Sequence, residues 1–211
     1  YAGGTHLPDI TVVSPIFDPD GRTLRYFVAS RAHHADVGGI SPGSMPARSR
    51  HIDEEGCRSD GMPIMGDGRF LEAEVRAWLA ANPHPARNPD QNIADLQAQL
   101  AANALGRRLL RQLEEETGAP AVLAYMGFVQ DNAETAVKRL LAGLRDGAFE
   151  LALDEGSSIR VAVRIDHGAG RAVIDFAGTS PQQAGNLNAP ASIAHSAVLY
   201  VFRTLIGSGG T

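Results

Sequence analysis

The chain has 211 residues, 44% hydrophobic and 20% charged, enough apolar side chain to build a real core in one large domain or two small ones. Its 19 Lys and Arg against 24 Asp and Glu give a net charge of -5 with the signs interspersed, and no basic stripe is present to hold a nucleic acid. A lone cysteine, Cys57, excludes an internal disulfide, no apolar run approaches the roughly 18 residues that span a bilayer, and no signal-peptide pattern opens the chain, so a cytoplasmic protein without membrane or nucleic-acid partners is expected.

Both ends read as interruptions, since Tyr1-Ala2-Gly3-Gly4 opens inside a turn and Gly207-Ser208-Gly209-Gly210-Thr211 closes nothing, as expected of a piece of a longer protein. Residues 10–17 and 23–31 are rich in Val, Ile, Phe and Tyr, and Pro19-Asp20-Gly21 between them predicts a β-hairpin. Residues 35–68 are crowded with Gly, Pro, Ser and Asp and lack a hydrophobic period, which predicts a long irregular loop of the kind that usually carries function.

Leu71, Val75, Trp78 and Leu79 predict a short helix over 70–81, ended by Asn82-Pro83. Asn88 and Pro89 cap and open a long helix running to Gly118 through Ile93, Leu96, Leu100, Leu109, Leu110 and Leu113. A third helix after Ala119-Pro120 carries Val122, Tyr125, Met126, Val129, Val137, Leu140, Leu141 and Leu144 on a broad apolar face, so that the two long helices read as a helical hairpin. Alternation over 149–153, 159–165 and 172–176 predicts a small antiparallel sheet, and a terminal helix follows over 190–206 with Val198, Leu199, Val201, Phe202 and Leu205 expected inside. The predicted class is α+β.

Chemistry concentrates near the start. His6 and Asp9 are two residues apart on a segment tightly turned by Gly3, Gly4 and Pro8, just before the first strand. His33, His34 and Asp36 stand where the second strand ends, and adjacent strand residues face opposite ways, so only one histidine of the pair need be a ligand. An antiparallel hairpin brings these two segments together. Imidazoles with carboxylates and no thiolate suit zinc, manganese or ferrous iron with an open coordination position; the competing reading is a set of capping or hydrogen-bonded loop residues.

Glu54 and Glu55 lie in the long loop and are candidates, with Asp36, for a general base, although exposed acidic pairs are usually just solvated. Asp95, Gln99 and Asn103 repeat every four residues and make a polar stripe on the long helix, fit for substrate contact or for a subunit interface. Asn186 and Asn188, in Gly185-Asn186-Leu187-Asn188, can present backbone amides to a substrate or form a plain helix-entry turn. His51, His84, His167 and His195 are solitary and read as structural. No Gly-x-x-x-x-Gly-Lys-Ser/Thr loop and no Gly-x-Ser-x-Gly elbow occurs, and Gly168-Ala169-Gly170 lacks the third glycine of a dinucleotide fingerprint.

The run from Arg31 to Pro46, Arg-Ala-His-His-Ala-Asp-Val-Gly-Gly-Ile-Ser-Pro-Gly-Ser-Met-Pro, resembles the signature stretch of the hydantoinase B/oxoprolinase family. Gly-Gly-Thr-His-Leu-Pro-Asp at 3–9, Asp53-Glu54-Glu55-Gly56, the Arg87-Asn88-Pro89 helix start with Asp95 and Gln99, and Gly185-Asn186-Leu187-Asn188-Ala189-Pro190 match the same family in the same order. The resemblance implies that residues 1–211 are part of a single domain of this type, with a site region at 1–68, a helical region at 69–147 and a sheet with a helix at 148–211. It also implies ATP-dependent opening of a small cyclic amide, with ATP bound by an A-type subunit or domain, and a divalent-metal site on His6, Asp9 and one of His33 or His34, with Asp36 as a further candidate. Related members are subunits of ketone carboxylases, and a non-catalytic assembly module is the reading outside enzymes.

Overall fold

The computed structural model describes residues 4–208; the opening Tyr1-Ala2-Gly3 and the closing Gly209-Gly210-Thr211 lie outside the described residues. The Pro19-Asp20-Gly21 signal makes the expected hairpin. Asp20 Oδ1 accepts the amides of Arg22 at 2.8 Å and Thr23 at 3.1 Å, Gly21 sits at φ 71°, and β1 (Asp9–Phe17) pairs antiparallel with β2 (Leu24–His33). The pleat sends Val12, Ile16 and Tyr26 inward and leaves Thr11, Val13, Phe27, Ala29, Arg31 and His33 on an outward face.

The stretch after β2 is irregular as expected, broken by a single 3-10 turn (Ile52–Glu54) and by β3 (Met65–Gly66), which pairs with β4 (Arg69–Phe70). Phe70 was expected to open a helix and instead closes this miniature hairpin. Asp67-Gly68 between the strands takes positive φ at both residues, 49° and 75°, as a type I′ turn requires, and α1 (Glu72–Ala80) starts two residues later. Asn88 Oδ1 accepts the Gln91 amide at the start of α2 (Pro89–Thr117), and Gly118 at φ 85° separates it from α3 (Ala119–Gly143). Strands β5 (Gly147–Ala152), β6 (Ser158–Asp166) and β7 (Arg171–Asp175) form an antiparallel sheet in that order, and α4 (Ala191–Ser208) is the terminal helix.

The chain forms two compact units, Tyr1–Glu116 with Ala184–Pro190, and Thr117–Gln183 with Ala191–Thr211. In the first, Val12, Val75, Leu79, Ile93 and Leu96 are the core, flanked by Ile10, Met62, Ile64, Phe70, Trp78, Ala86 and Leu100. Helix α2 is bound to the hairpin along its length. Gln99 Nε2 donates to Ile10 O at 2.9 Å and Ser30 O at 3.1 Å, Asn103 Nδ2 to Val12 O at 3.1 Å, and Glu114 accepts from Arg25 and the Tyr26 hydroxyl, both at 2.7 Å. Between them a Cβ on Gly106 would stand 2.8 Å from Val28 Cγ1, so a side chain there fits only if Val28 moves.

In the second unit Val122 and Leu141 of α3 are buried, while Tyr125, Met126 and Val129, expected on the same inner face, are exposed. The terminal helix departs in the same way: Val198, Phe202 and Ile206 form a half-buried stripe, but Leu199, Val201 and Leu205 face outward. A helix covered along one side buries one stripe, and an apolar sequence that runs further around it leaves the remainder bare. Among the described residues, no helix is long and apolar enough to cross a membrane.

Candidate metal centre

The first strand pair of the hairpin sets Asp9 directly across from His33, and the turn before it returns His6 to the same place through the Asp9 N–H···O bond to His6. Three donor atoms converge: His6 Nε2 is 3.1 Å from His33 Nδ1 and 3.4 Å from Asp9 Oδ1, and His33 Nδ1 is 3.1 Å from Asp9 Oδ1. Donors about 2.1 Å from one cation stand roughly 3.0 to 3.4 Å apart at octahedral or tetrahedral angles, so the spacing fits a first-row divalent ion. Thr5 Oγ1 lies 3.1 Å from His6 Nδ1; with the proton on Nδ1 facing this hydroxyl, the Nε2 lone pair is free for a ligand bond. His6, Asp9 and His33 are the group among the described residues whose donor atoms gather closely enough to share an ion.

His34 does not join them. Strand alternation turns it to the inner side, where it is fully buried with both ring nitrogens engaged. Both amide hydrogens of Gln99 go to Ile10 O and Ser30 O, so its Oε1 faces the ring at 3.1 Å and the proton sits on His34 Nε2. Nδ1 is then the acceptor for Asn92 Nδ2, also at 3.1 Å, and Asn92 goes on to bond Asp36 O at 2.9 Å. The His34 amide bonds Pro8 O at 2.8 Å, which ties the His6 to Asp9 turn to the end of β2. His34→Ala is therefore expected to destabilise the protein by about 3 kcal/mol, because it opens a cavity and strands two buried amide groups; urea unfolding of the intact protein measures it.

Asp36, Glu54 and Glu55 are employed within the long loop. Asp36 Oδ1 accepts the amides of Gly38 and Arg87, and Oδ2 accepts the Gly43 amide at 3.0 Å and Arg87 Nη1 at 2.7 Å. Burial pushes its pKa up, but the hydrogen bonds from Gly38, Arg87 and Gly43 outweigh that and hold the carboxyl below its ordinary 3.8. A carboxylate so filled is a clasp, poorly suited to take a proton from water. Since its folded pKa is depressed, its stabilisation is complete above the unfolded pKa and disappears as pH falls through the folded one. The stability gap between wild type and Asp36→Asn should thus be constant near neutrality and shrink below about pH 4 in acid-unfolding curves. Glu54 Oε2 caps the 3-10 turn on the amides of Arg50 and His51, which lower its pKa, and Glu55 Oε1 accepts the buried Ser49 hydroxyl at 2.6 Å.

Of the expected substrate contacts, Gln99 is spent on His34 and the hairpin carbonyls, and Asp95 accepts from Gln91 Nε2 on its own helix at 2.9 Å. Asn186 donates to Pro46 O at 2.7 Å, fastening residues 184–190 to the long loop, and Asn188 donates to Gly185 O at 2.7 Å. Sequence reasoning passed over Asn92, which completes the buried network, Arg87, an exposed residue that clasps Asp36, and Arg31, the next residue on the outward face after His33. Strand alternation read back from His33 is the signal that finds Arg31.

The sequence profile described as hydantoinase B/oxoprolinase matches residues 1–209. The 5-oxoprolinase of Saccharomyces cerevisiae is 42% identical over 217 residues, covering 97% of this chain and 17% of that protein, so the chain spans about a sixth of its relative. Among solved structures, the ATP-dependent caprolactamase from Pseudomonas jessenii superposes with a TM-score of 0.76 at 23% identity, covering 93% of this chain and 34% of the other. The nucleotide-free structure of acetone carboxylase gives a TM-score of 0.82 at 18% identity, covering 98% and 29%. At these identities the two structures establish the fold alone.

Proposed function

Since the chain belongs to the hydantoinase B/oxoprolinase family, we propose that it is the metal-dependent hydrolytic component of an ATP-dependent enzyme that opens a small cyclic amide, working with an A-type subunit or domain that uses ATP. The observation that carries this reading is the convergence of His6 Nε2, Asp9 Oδ1 and His33 Nδ1 within 3.1 to 3.4 Å. Two imidazoles and one carboxylate fit zinc, manganese or ferrous iron and leave coordination positions open.

The lactam bond resists water because its nitrogen lone pair is delocalised into the carbonyl, and phosphorylation of that oxygen by the partner removes the resonance and makes the ring carbon electrophilic. A divalent ion held by His6, Asp9 and His33 would supply Lewis acidity and would make water a stronger acid near neutral pH. Asp9 brings the compensating negative charge. Its Oδ2 has no hydrogen bond among the described residues and would be available to accept a proton from water, whereas Asp36, Glu54 and Glu55 are tied into the loop. Thr5 orients His6, and the buried His34, Gln99 and Asn92 network holds both ligand-bearing segments in place.

Removal and return of the metal is the test. Dialysis of the full-length protein with its ATP-using partner against a chelator should abolish ring opening, and stoichiometric Mn2+, Zn2+ or Fe2+ should restore it. Ring opening that survives complete demetallation overturns the reading and leaves this chain an assembly role.

A further inference from the structure

We propose that α4 is an interior helix of the whole protein, and that a helix of the same polypeptide, outside residues 1–211, packs along its bare side. Of the 18 residues in Ala191–Ser208, Arg203 carries the one permanent charge, and none of those described is buried. Helices that are apolar all round belong inside a protein or a membrane, and no helix among the described residues is long and apolar enough to cross a membrane. Protein cover is what remains.

The bare side has the layout of a packing face. Val198, Phe202 and Ile206 form the half-buried stripe turned toward the helix's own unit. At about 100° per residue, Ile193, Ala197, Tyr200 and Thr204 fall on the opposite side, spaced four, three and four apart as helix-packing positions are. All four are exposed, Tyr200 by 73%, and Leu199 at 70% widens the apolar area. Small residues alternate there with large ones, which lets a neighbouring helix seat its own side chains between them. Thr204 Oγ1 already donates to Tyr200 O at 2.9 Å, so this hydroxyl needs nothing from water, as a dry contact demands.

Length points to the occupant. This fold accounts for 34% of the caprolactamase chain and 29% of the acetone carboxylase chain, so most of each lies elsewhere in the same polypeptide. A tethered segment meets α4 at high effective concentration, and a second copy or a separate subunit must compete with it.

The test is photo-cross-linking of the full-length protein carrying p-benzoylphenylalanine in place of Tyr200, with hydroxyl-radical footprinting of the wild type beside it. Both are run dilute, with and without the ATP-using partner. The expected product is an internal cross-link to residues outside 1–211, and Tyr200 should oxidise several-fold more slowly in the folded wild type than in urea, partner or not. A cross-link to residues within 1–211, a cross-linked dimer, one to the partner, or none at all overturns the inference. So does a Tyr200 that oxidises as fast folded as unfolded.

Discussion

His6→Ala, Asp9→Ala and His33→Ala should each reduce metal affinity by at least about 100-fold, since loss of a mere outer partner of a ligand already costs 10- to 100-fold. Ring opening should fall with it by about 1,000-fold, which corresponds to the several kcal/mol a bound metal supplies. Elemental analysis of the purified full-length variants, beside turnover with the ATP-using partner, checks both numbers. The informative comparison is His33 with His34. These neighbours have the same side chain, yet one ring stands in the outward group with Nδ1 at 3.1 Å from Asp9, and the other is buried with each nitrogen hydrogen-bonded to an amide. His33→Ala should lose metal and keep its unfolding midpoint, and His34→Ala should lose stability and keep metal at low temperature. A metal content that follows His34 and ignores His33 would refute the assignment.

Gly38→Ala should be among the most damaging single changes in the chain, costing more than about 4 kcal/mol. Gly38 has φ +96°, and a Cβ there would stand 2.3 Å from His84 O and 3.0 Å from Pro85 C. Both are backbone atoms, and His84 O already holds the Gly39 amide at 2.8 Å, so neither can retreat without undoing the loop. Gly61 is the control, because it has the same φ of +96° with nothing within 4 Å of an added Cβ. Gly61→Ala therefore isolates backbone strain, about 1 to 2 kcal/mol, and the difference between the two variants measures steric exclusion. Equal losses in thermal unfolding would show that the loop yields around residue 38.

The sequence announces what local chemistry decides. Pro19-Asp20-Gly21 makes its turn, Asn88-Pro89 opens its helix, and strand alternation sends His33 and His34 to opposite sides. Asp67-Gly68 carried an equally local signal for β3 and β4, overshadowed by the apolar run that begins at Phe70. What stays hidden is the partner of each polar group. Asp95, Gln99 and Asn103 look like one stripe in the sequence, but Gln99 and Asn103 are buried on hairpin carbonyls while Asp95 bonds its own helix. An amide that meets a strand carbonyl and one that meets substrate have the same letter and the same helical spacing. Asp36 is the same case for carboxylates, because Arg87 lies 51 residues away in the chain. The apolar faces of α3 and α4 mislead in the opposite direction, since hydrophobic periodicity reports which side wants cover and not whether cover is at hand.

The carboxamides on α2 give the molecule a ruler. A helix seated on a sheet by leucines alone can slide one turn, about 5.4 Å, and still cover most of the same apolar area. Asn92, Gln99 and Asn103 forbid that, because each reads a different station of the hairpin, at His34 and Asp36, at Ile10 and Ser30, and at Val12. Any displacement short of a full re-indexing strands several of these amides at once. A displacement of α2 along the hairpin would therefore break several hydrogen bonds together, among them the one to Ile10 O, next to Asp9.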